Sequence, residues 1–183
     1  MRSRLSSPAA VLAVVTLAGA GAAAAKDLRT AMIRVVPETD WKATPQAVAI
    51  VVENRATHAD AAEFTAEFDK WLREALPRLK YTVDDKAATR LRFTIDAIDP
   101  GSAALRFAVG FGAGKSYLHG MVTVEQSSKV VGKLAFSARP KGTTMNFMAK
   151  EVAPSLVLKL HNGERDTELH EPNPPKDEKG KSD

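Results

Sequence analysis

The sequence predicts an α/β fold of the α+β type: a two-layer sandwich of one mixed sheet, with about five to six strands, and two amphipathic helices. Two segments carry apolar residues at helical spacing, and each needs a sheet to cover its apolar stripe. Shorter segments of alternating apolar and polar residues predict strands, two of which are joined as a hairpin. Helices and strands in this combination are typical of a two-layer domain.

Two strands are predicted before the first helix, over residues 28–36 and 46–53. The second contains a continuous apolar run, residues 47–52, which is typical of a strand buried on both faces. Pro37 and Pro45 indicate a loop between them, because proline interrupts a strand ladder.

The first helix is predicted over residues 60–76. Asp60 offers an N-cap, and Glu63 three residues later gives a start that resembles a capping box. Pro77 is expected to end the helix, because its ring cannot continue the hydrogen-bonding pattern. The apolar residues at helical spacing are Phe64, Phe68, Trp71, Leu72, Ala75 and Leu76.

Four strands are predicted after this helix. In the clearest, Leu91, Phe93 and Ile95 face one way and the residues between them face the other. The sequence Asp99-Pro-Gly101 predicts a turn after it, and Ser127–Ser128 joins the last two strands as a hairpin. The four predicted strands are residues 81–83, 91–97, 116–126 and 129–137.

The second helix is predicted over residues 144–160. Pro154 lies inside it, so a kink or break is expected there. The apolar residues that indicate the helix are Met145, Met148, Ala149, Val152, Leu156 and Leu160.

The N-terminal segment predicts export. Arg2 and Arg4 precede an apolar core over residues 11–17, and small residues up to Ala25 offer a cleavage site, which together indicate a Sec-type signal peptide over residues 1–25. We therefore expect a periplasmic or secreted protein with no transmembrane segment in the mature chain. The sequence contains no cysteine, so a lipoprotein anchor is not predicted.

The rest of the chain divides into one globular domain, residues 26–161, and a polar C-terminal tail, residues 162–183. The tail has almost no apolar residues and contains Pro172, Pro174 and Pro175, so it is predicted to be disordered. Cleavage after Ala25 would lower the net charge from +4 to about +2, and aromatic residues make up only 6% of the chain. Neither property favours a nucleic-acid partner.

The glycine-rich segment over residues 110–116 is similar to a nucleotide-binding loop but has the wrong spacing. A Walker A loop requires glycine at the position that Val109 occupies, and the residues that follow predict a strand rather than a helix. No nucleotide or other cofactor is therefore expected.

The same segment suggests another kind of site. Alternate glycines expose backbone N–H groups, and two cations lie nearby, so the loop is a candidate for binding an anion or a partner protein. Alternatively, its glycines only allow close packing, or the apolar Phe107 and Phe111 pack on a partner or a membrane. The candidate binding residues are Arg106, Gly110, Gly112, Gly114 and Lys115.

No catalytic or metal-binding motif is present in the sequence. The four histidines, at positions 58, 119, 161 and 170, are far apart and form no helical pair, and no nucleophile elbow occurs. Two classes stay open: a non-catalytic binding or assembly module of the cell envelope, which uses the loop over residues 101–116, and a hydrolase or small-ligand-binding enzyme whose site is assembled from distant residues. A pocket that gathers two or more Asp, Glu, His or Lys side chains would favour the second.

The segment from Asp99 to Lys115 also carries a family resemblance. Arg106, the Gly-Phe-Gly-Ala-Gly-Lys turn at residues 110–115 and the hairpin with Val131-Gly-Lys-Leu134 resemble domain-of-unknown-function family 4410 of bacterial envelope proteins. The resemblance is densest over residues 91–137.

The resemblance implies an exported or lipid-anchored protein with no established chemistry. It also implies an α/β fold similar to the N-terminal domain of TolB and to curli-secretion-like domains. The absence of cysteine distinguishes this chain from the lipoprotein members.

Overall fold

The computed structural model describes residues 31–39, 41–101 and 115–172. The predicted signal peptide and most of the glycine-rich loop therefore lie outside the described residues. The elements, in chain order, are β1 (Met32–Pro37), β2 (Ala47–Asn54), α1 (Ala61–Arg78), β3 (Thr82–Val83), β4 (Thr89–Asp99), β5 (Tyr117–Gln126), β6 (Lys129–Arg139) and α2 (Met145–Asn162).

The described strands form one six-stranded mixed sheet in the order β1-β6-β5-β4-β2-β3. The pairs β1–β6, β6–β5 and β5–β4 are antiparallel, whereas β2 is parallel to both β4 and β3. Helix α1 connects β2 to the parallel strand β3, because parallel neighbours require a crossover. The α/β sandwich with a mixed sheet, predicted from the sequence, is confirmed.

Helices α1 and α2 pack against each other and share one core with the sheet. The ring of Phe68 stacks on that of Phe64, with centroids 5.3 Å apart, and meets the ring of Phe93 on β4 edge-on at 6.0 Å. All three side chains are fully buried, so they join the helix layer to the sheet.

Both ends of α1 differ from the prediction. Asp60 is the N-cap residue, but its side chain makes no capping hydrogen bond, so the predicted capping box does not form. Pro77 does not end the helix but lies in its last turn. The amides of Leu79 and Lys80 donate to the carbonyls of Leu76 and Pro77, and Lys80 then takes a left-handed conformation that stops the helix.

Helix α2 is a single helix over residues 145–162, so the break expected at Pro154 does not occur. Every residue from Glu151 to Leu158 is buried. Interior proline costs a helix about 3 kcal/mol, and burial on this scale outweighs that cost. Gly163, with φ of 67°, caps the C-terminus in the left-handed conformation that glycine favours.

The predicted hairpin between β5 and β6 is confirmed. Ser127 and Ser128 both have positive φ, 48° and 67°, which is the backbone of a two-residue primed turn. This turn matches the twist of the strands it joins, so serine is accepted where asparagine and glycine are usual.

The sheet face opposite the helices carries charged side chains from β2, β4 and β5. The Arg92 guanidinium contacts the carboxylates of Glu53 and Glu125, the latter at 3.1 Å. This arrangement follows from the alternation in β4, where Leu91 and Phe93 are buried on the helix side.

Within the described residues, neither helix has the length and apolar character needed to cross a membrane.

Candidate functional site

Most of the predicted binding loop falls in the gap between the described ranges. Arg106, Gly110, Gly112 and Gly114 lie outside the described residues, and Lys115 is described and exposed. What the structure does describe is the loop base, which we define as residues 99–101, 115–117 and 139–142. It lies where β4 ends, β5 begins and β6 ends, at one end of the sheet.

Ser116 holds the loop base together. Its side chain is fully buried, and its hydroxyl lies 2.8 Å from the Pro100 carbonyl oxygen and 2.5 Å from that of Gly142. On the other side of the loop, the Asp99 carboxylate accepts a hydrogen bond from the Gly101 amide at 2.8 Å. This contact confirms the turn predicted there, and both ends of the loop are therefore fixed to the sheet.

Glu151 fixes the third part of the loop base. This buried carboxylate on α2 accepts hydrogen bonds from the amides of Lys141 and Gly142, at 2.6 and 3.3 Å. A side chain at Gly142 would place its Cβ 2.1 Å from the Phe147 ring, so only glycine fits. Glu151 was not among the site residues predicted from the sequence, although a single acid within an apolar helical stretch indicates a buried partner.

The C-terminal strap, residues 163–171, lies along the free edge of β1. The Asp166 carboxylate accepts a hydrogen bond from the Val35 amide at 2.7 Å, and the Asp166 amide donates to the Val35 carbonyl at 2.8 Å. The Lys159 ammonium lies 2.6 Å from the Asp166 carboxylate and donates to the Ile33 carbonyl at 2.7 Å.

The strap then crosses onto the outer face of the sheet. Glu168 pairs with Arg34 at 2.8 Å, and the His170 amide donates to the Ser137 hydroxyl at 2.7 Å. Its end reaches the loop base, where the Arg139 guanidinium donates to the Glu171 carbonyl at 2.6 Å.

The sequence predicts disorder over residues 162–183, whereas the structure describes residues 163–172 with these specific contacts. Residues 173–183 lie outside the described residues. The polar composition that predicts disorder supplies here the groups that bind the sheet edge, because Asp166 and Glu168 meet Lys159 and Arg34 as opposite charges.

A cleft of about 500 Å³ lies between the strap, β1 and α2. It brings together titratable side chains from four parts of the chain, which sequence spacing did not reveal. Within the described ranges, no three His, Cys, Asp or Glu side chains are grouped so that they could hold a metal ion. The cleft is lined by Ala31, Met32, Ile33, Arg34, Lys141, Ser155, Lys159, Glu164, Asp166 and His170.

The environment lowers the pKa of two of these groups. Burial by itself raises the pKa of Asp166, but the hydrogen bonds from Lys159 and Val35, with the charges of Lys159 and Arg34, outweigh it and lower the pKa. Burial lowers the pKa of His170, and the charges of Arg34 and Arg139 lower it further. We therefore expect a charged Asp166 and a neutral His170 at neutral pH.

Comparison with solved structures finds distant similarity. A PelC dodecamer from Paraburkholderia phytofirmans shares 9% identity, with a TM-score of 0.43, over 69% of this chain and 97% of that one. A substituted form of that dodecamer also shares 9% identity, with a TM-score of 0.45, over 71% of this chain and 98% of that one. An uncharacterized protein shares 9% identity, with a TM-score of 0.33, over 67% of this chain and 93% of that one.

No curated protein matches the chain. A family model described as Domain of unknown function (DUF4410) matches residues 40–140, which include the whole of five of the six described strands.

Proposed function

The chain belongs to the DUF4410 family, and from this premise we propose that it is an exported, non-catalytic binding module that engages an envelope protein through the loop over residues 101–116. The family description assigns no chemistry, so the proposal depends on the loop base and on the N-terminal sequence pattern.

The observation that carries the proposal is the anchoring of the loop. The buried Ser116 hydroxyl lies against the carbonyls of Pro100 and Gly142, and the Glu151 carboxylate accepts a hydrogen bond from the Gly142 amide. A surface loop whose two ends are fixed on a rigid scaffold is the usual arrangement for a binding loop.

The charges around the loop base favour an acidic group on the partner. Lys115, Arg139 and Lys141 border the base, and Arg106 adds a fourth cation to the loop in the sequence. Backbone N–H groups of the alternating glycines would complete a site for a carboxylate or phosphate.

A pull-down from native envelope tests the loop. Lys115→Ala is expected to weaken capture of the partner while changing stability by no more than about 0.5 kcal/mol, since Lys115 is exposed. Lys129→Ala is the matched control, because Lys129 is an equally exposed lysine on the hairpin at the opposite end of the sheet. Equal capture by both variants would contradict a role for Lys115.

The export part of the proposal has its own measurement. N-terminal sequencing of the protein from the envelope fraction is expected to start near Lys26, after cleavage at Ala25. An intact Met1 on protein from the cytoplasm would refute it.

The cleft supports a second candidate, the small-ligand-binding enzyme. It gathers Lys141, Lys159, Asp166 and His170, and a pocket that brings such side chains together is what an enzyme site assembled from distant residues requires. We favour the binding module, because Lys159 and Asp166 contact each other and the backbone of β1, so their charged groups bind the strap. The enzyme would be favoured if a substrate screen found turnover that Lys159→Met or His170→Gln abolished.

A further inference from the structure

The C-terminal strap has an unusual arrangement of acids. Glu164, Asp166 and Glu168 occupy alternate positions, and Glu171 follows near the end of the strap. None of these residues is in a helix or strand, so the strap is held by its contacts with the rest of the domain.

The surface under the strap is basic. Asp166 meets the ammonium of Lys159, and Glu168 meets the guanidinium of Arg34. Arg139 then binds the carbonyl of Glu171. We call this surface, formed by β1, the end of β6 and α2, the basic groove. It binds its own chain's acidic segment through charge-assisted hydrogen bonds.

The basic groove also uses the free edge of the sheet. Among the described strands β1 lies at the edge of the sheet, and both backbone groups of Val35 bond to Asp166. An unpaired edge is a ready template for another segment, and added segments are a common mode of peptide recognition.

The strap occupies the basic groove without filling it. A cleft of about 500 Å³ remains beside it, next to Lys141 and Lys159. The contacts of the strap are mostly polar, its one large apolar side chain, Leu169, is only half-buried, and Glu168 keeps 75% of its side chain exposed. The Arg34–Glu168 pair is partly exposed and contributes little to stability, whereas the Lys159–Asp166 pair is largely buried. No strap residue belongs to the hydrophobic core, so exchange of the strap leaves that core in place.

From these observations we propose that the basic groove is a binding site for an acidic, non-helical segment of a partner protein, which displaces the strap. The basic groove meets the loop base at Arg139, but its ion pairs with the strap are made by Lys159 and Arg34, which lie outside the loop of the proposed function. Variants at Arg34 and in the strap therefore test the groove without changing that loop. The strap is then an internal competitor that lowers the apparent affinity for partners.

A peptide titration of the full chain tests the proposal. The probe is a fluorescein-labelled synthetic peptide with the sequence of residues 163–172, and the readout is fluorescence anisotropy at low salt. Weakening the strap within the chain with Glu168→Gln and Asp166→Asn is expected to tighten binding of the added peptide about tenfold, because the basic groove is open for a larger fraction of time. Glu38→Gln is the control, since it removes an exposed ion pair with Lys133 away from the groove.

Reversing the charge of the groove provides the second arm. Arg34→Glu is expected to abolish binding of the peptide, and a peptide with lysine in place of the acid at position 168 is expected to restore it. Glu168→Gln alone is used if the double variant melts early, because Glu168 is exposed. The proposal is overturned if weakening the strap leaves peptide affinity unchanged, or if a peptide with its acids replaced by amides binds equally well.

Discussion

At the scale of single residues, buried polar groups decide how the two surfaces are built. Ser116, Glu151 and Asp166 each satisfy backbone groups that would otherwise lose their hydrogen bonds on burial. Each lies far along the chain from a partner: Ser116 contacts Gly142, Glu151 contacts Lys141, and Asp166 contacts Val35. Such pairs are invisible to sequence periodicity, because nothing in the local pattern specifies the distant partner.

Removing the Ser116 hydroxyl should destabilise the domain. Ser116→Ala removes the one hydroxyl proton that the carbonyl oxygens of Pro100 and Gly142 share, so we expect a loss of about 1–3 kcal/mol in the free energy of unfolding. Thr57→Ala, at an exposed loop position, is the control and is expected to stay within about 0.5 kcal/mol. Urea denaturation measures both, and equal stabilities would show that the hydroxyl does not hold the loop base.

His170 should make stability depend on pH. Its pKa is lowered in the folded protein by burial and by Arg34 and Arg139, while Asp166 and the backbone of Met32 act in the opposite direction. The unfolded chain therefore takes up the proton more readily, and the folded state loses stability as the pH falls below the ordinary value of 6.5.

Comparison of the wild type with His170→Gln isolates this contribution, because the other histidines are the same in both. As the pH is lowered from about 8 to about 5, the wild type is expected to lose free energy of unfolding relative to the variant, as measured by chemical denaturation. The loss should begin at pH ~6.5, the ordinary pKa of histidine. A difference that does not change over this range would contradict the assignment.

At the scale of elements, the sequence predicts which helices and strands exist better than it predicts the residues at which they begin and end. Alternation in β4 and helical spacing in α1 identify those elements, because burial of one face leaves a periodic signal. The ends are set by other effects. Lys80 in a left-handed conformation stops α1, and packing carries α2 through Pro154.

The hairpin gives a prediction in the stabilising direction. Ser127 and Ser128 both have positive φ, which asparagine and glycine adopt at lower cost. Replacing them with Asn-Gly is expected to raise the free energy of unfolding by about 0.5–1 kcal/mol. Thermal denaturation measures the change, and Ser127→Val with Ser128→Val is expected to lower the melting temperature.

At the scale of the whole molecule, one core joins the helix layer to the sheet. The family match and the mixed sheet agree with the prediction from the sequence, because the apolar faces of the elements leave few ways to cover them. The basic groove was not predicted. It forms only when residues from both ends of the described chain meet, and the polar tail by itself indicates disorder.

The single core predicts one cooperative unfolding transition. Phe68 contacts both Phe64 and Phe93, so Phe68→Ala is expected to destabilise the whole domain by about 3–5 kcal/mol. Phe147→Ala is the control, because that ring is 49% exposed. Far- and near-ultraviolet circular dichroism, which report secondary structure and aromatic packing, should show coincident transitions in both variants. Transitions at different temperatures in the two wavelength ranges would contradict a single cooperative core.

The pairing of β1 with β6 has a consequence for how the chain is made. Met32 pairs with Arg139, so the first strand to leave the ribosome has no partner until about a hundred more residues have followed. Its remaining contacts come still later, from Asp166 and Glu168. Strand β1 can therefore complete its backbone pairing only after nearly the whole chain has been made.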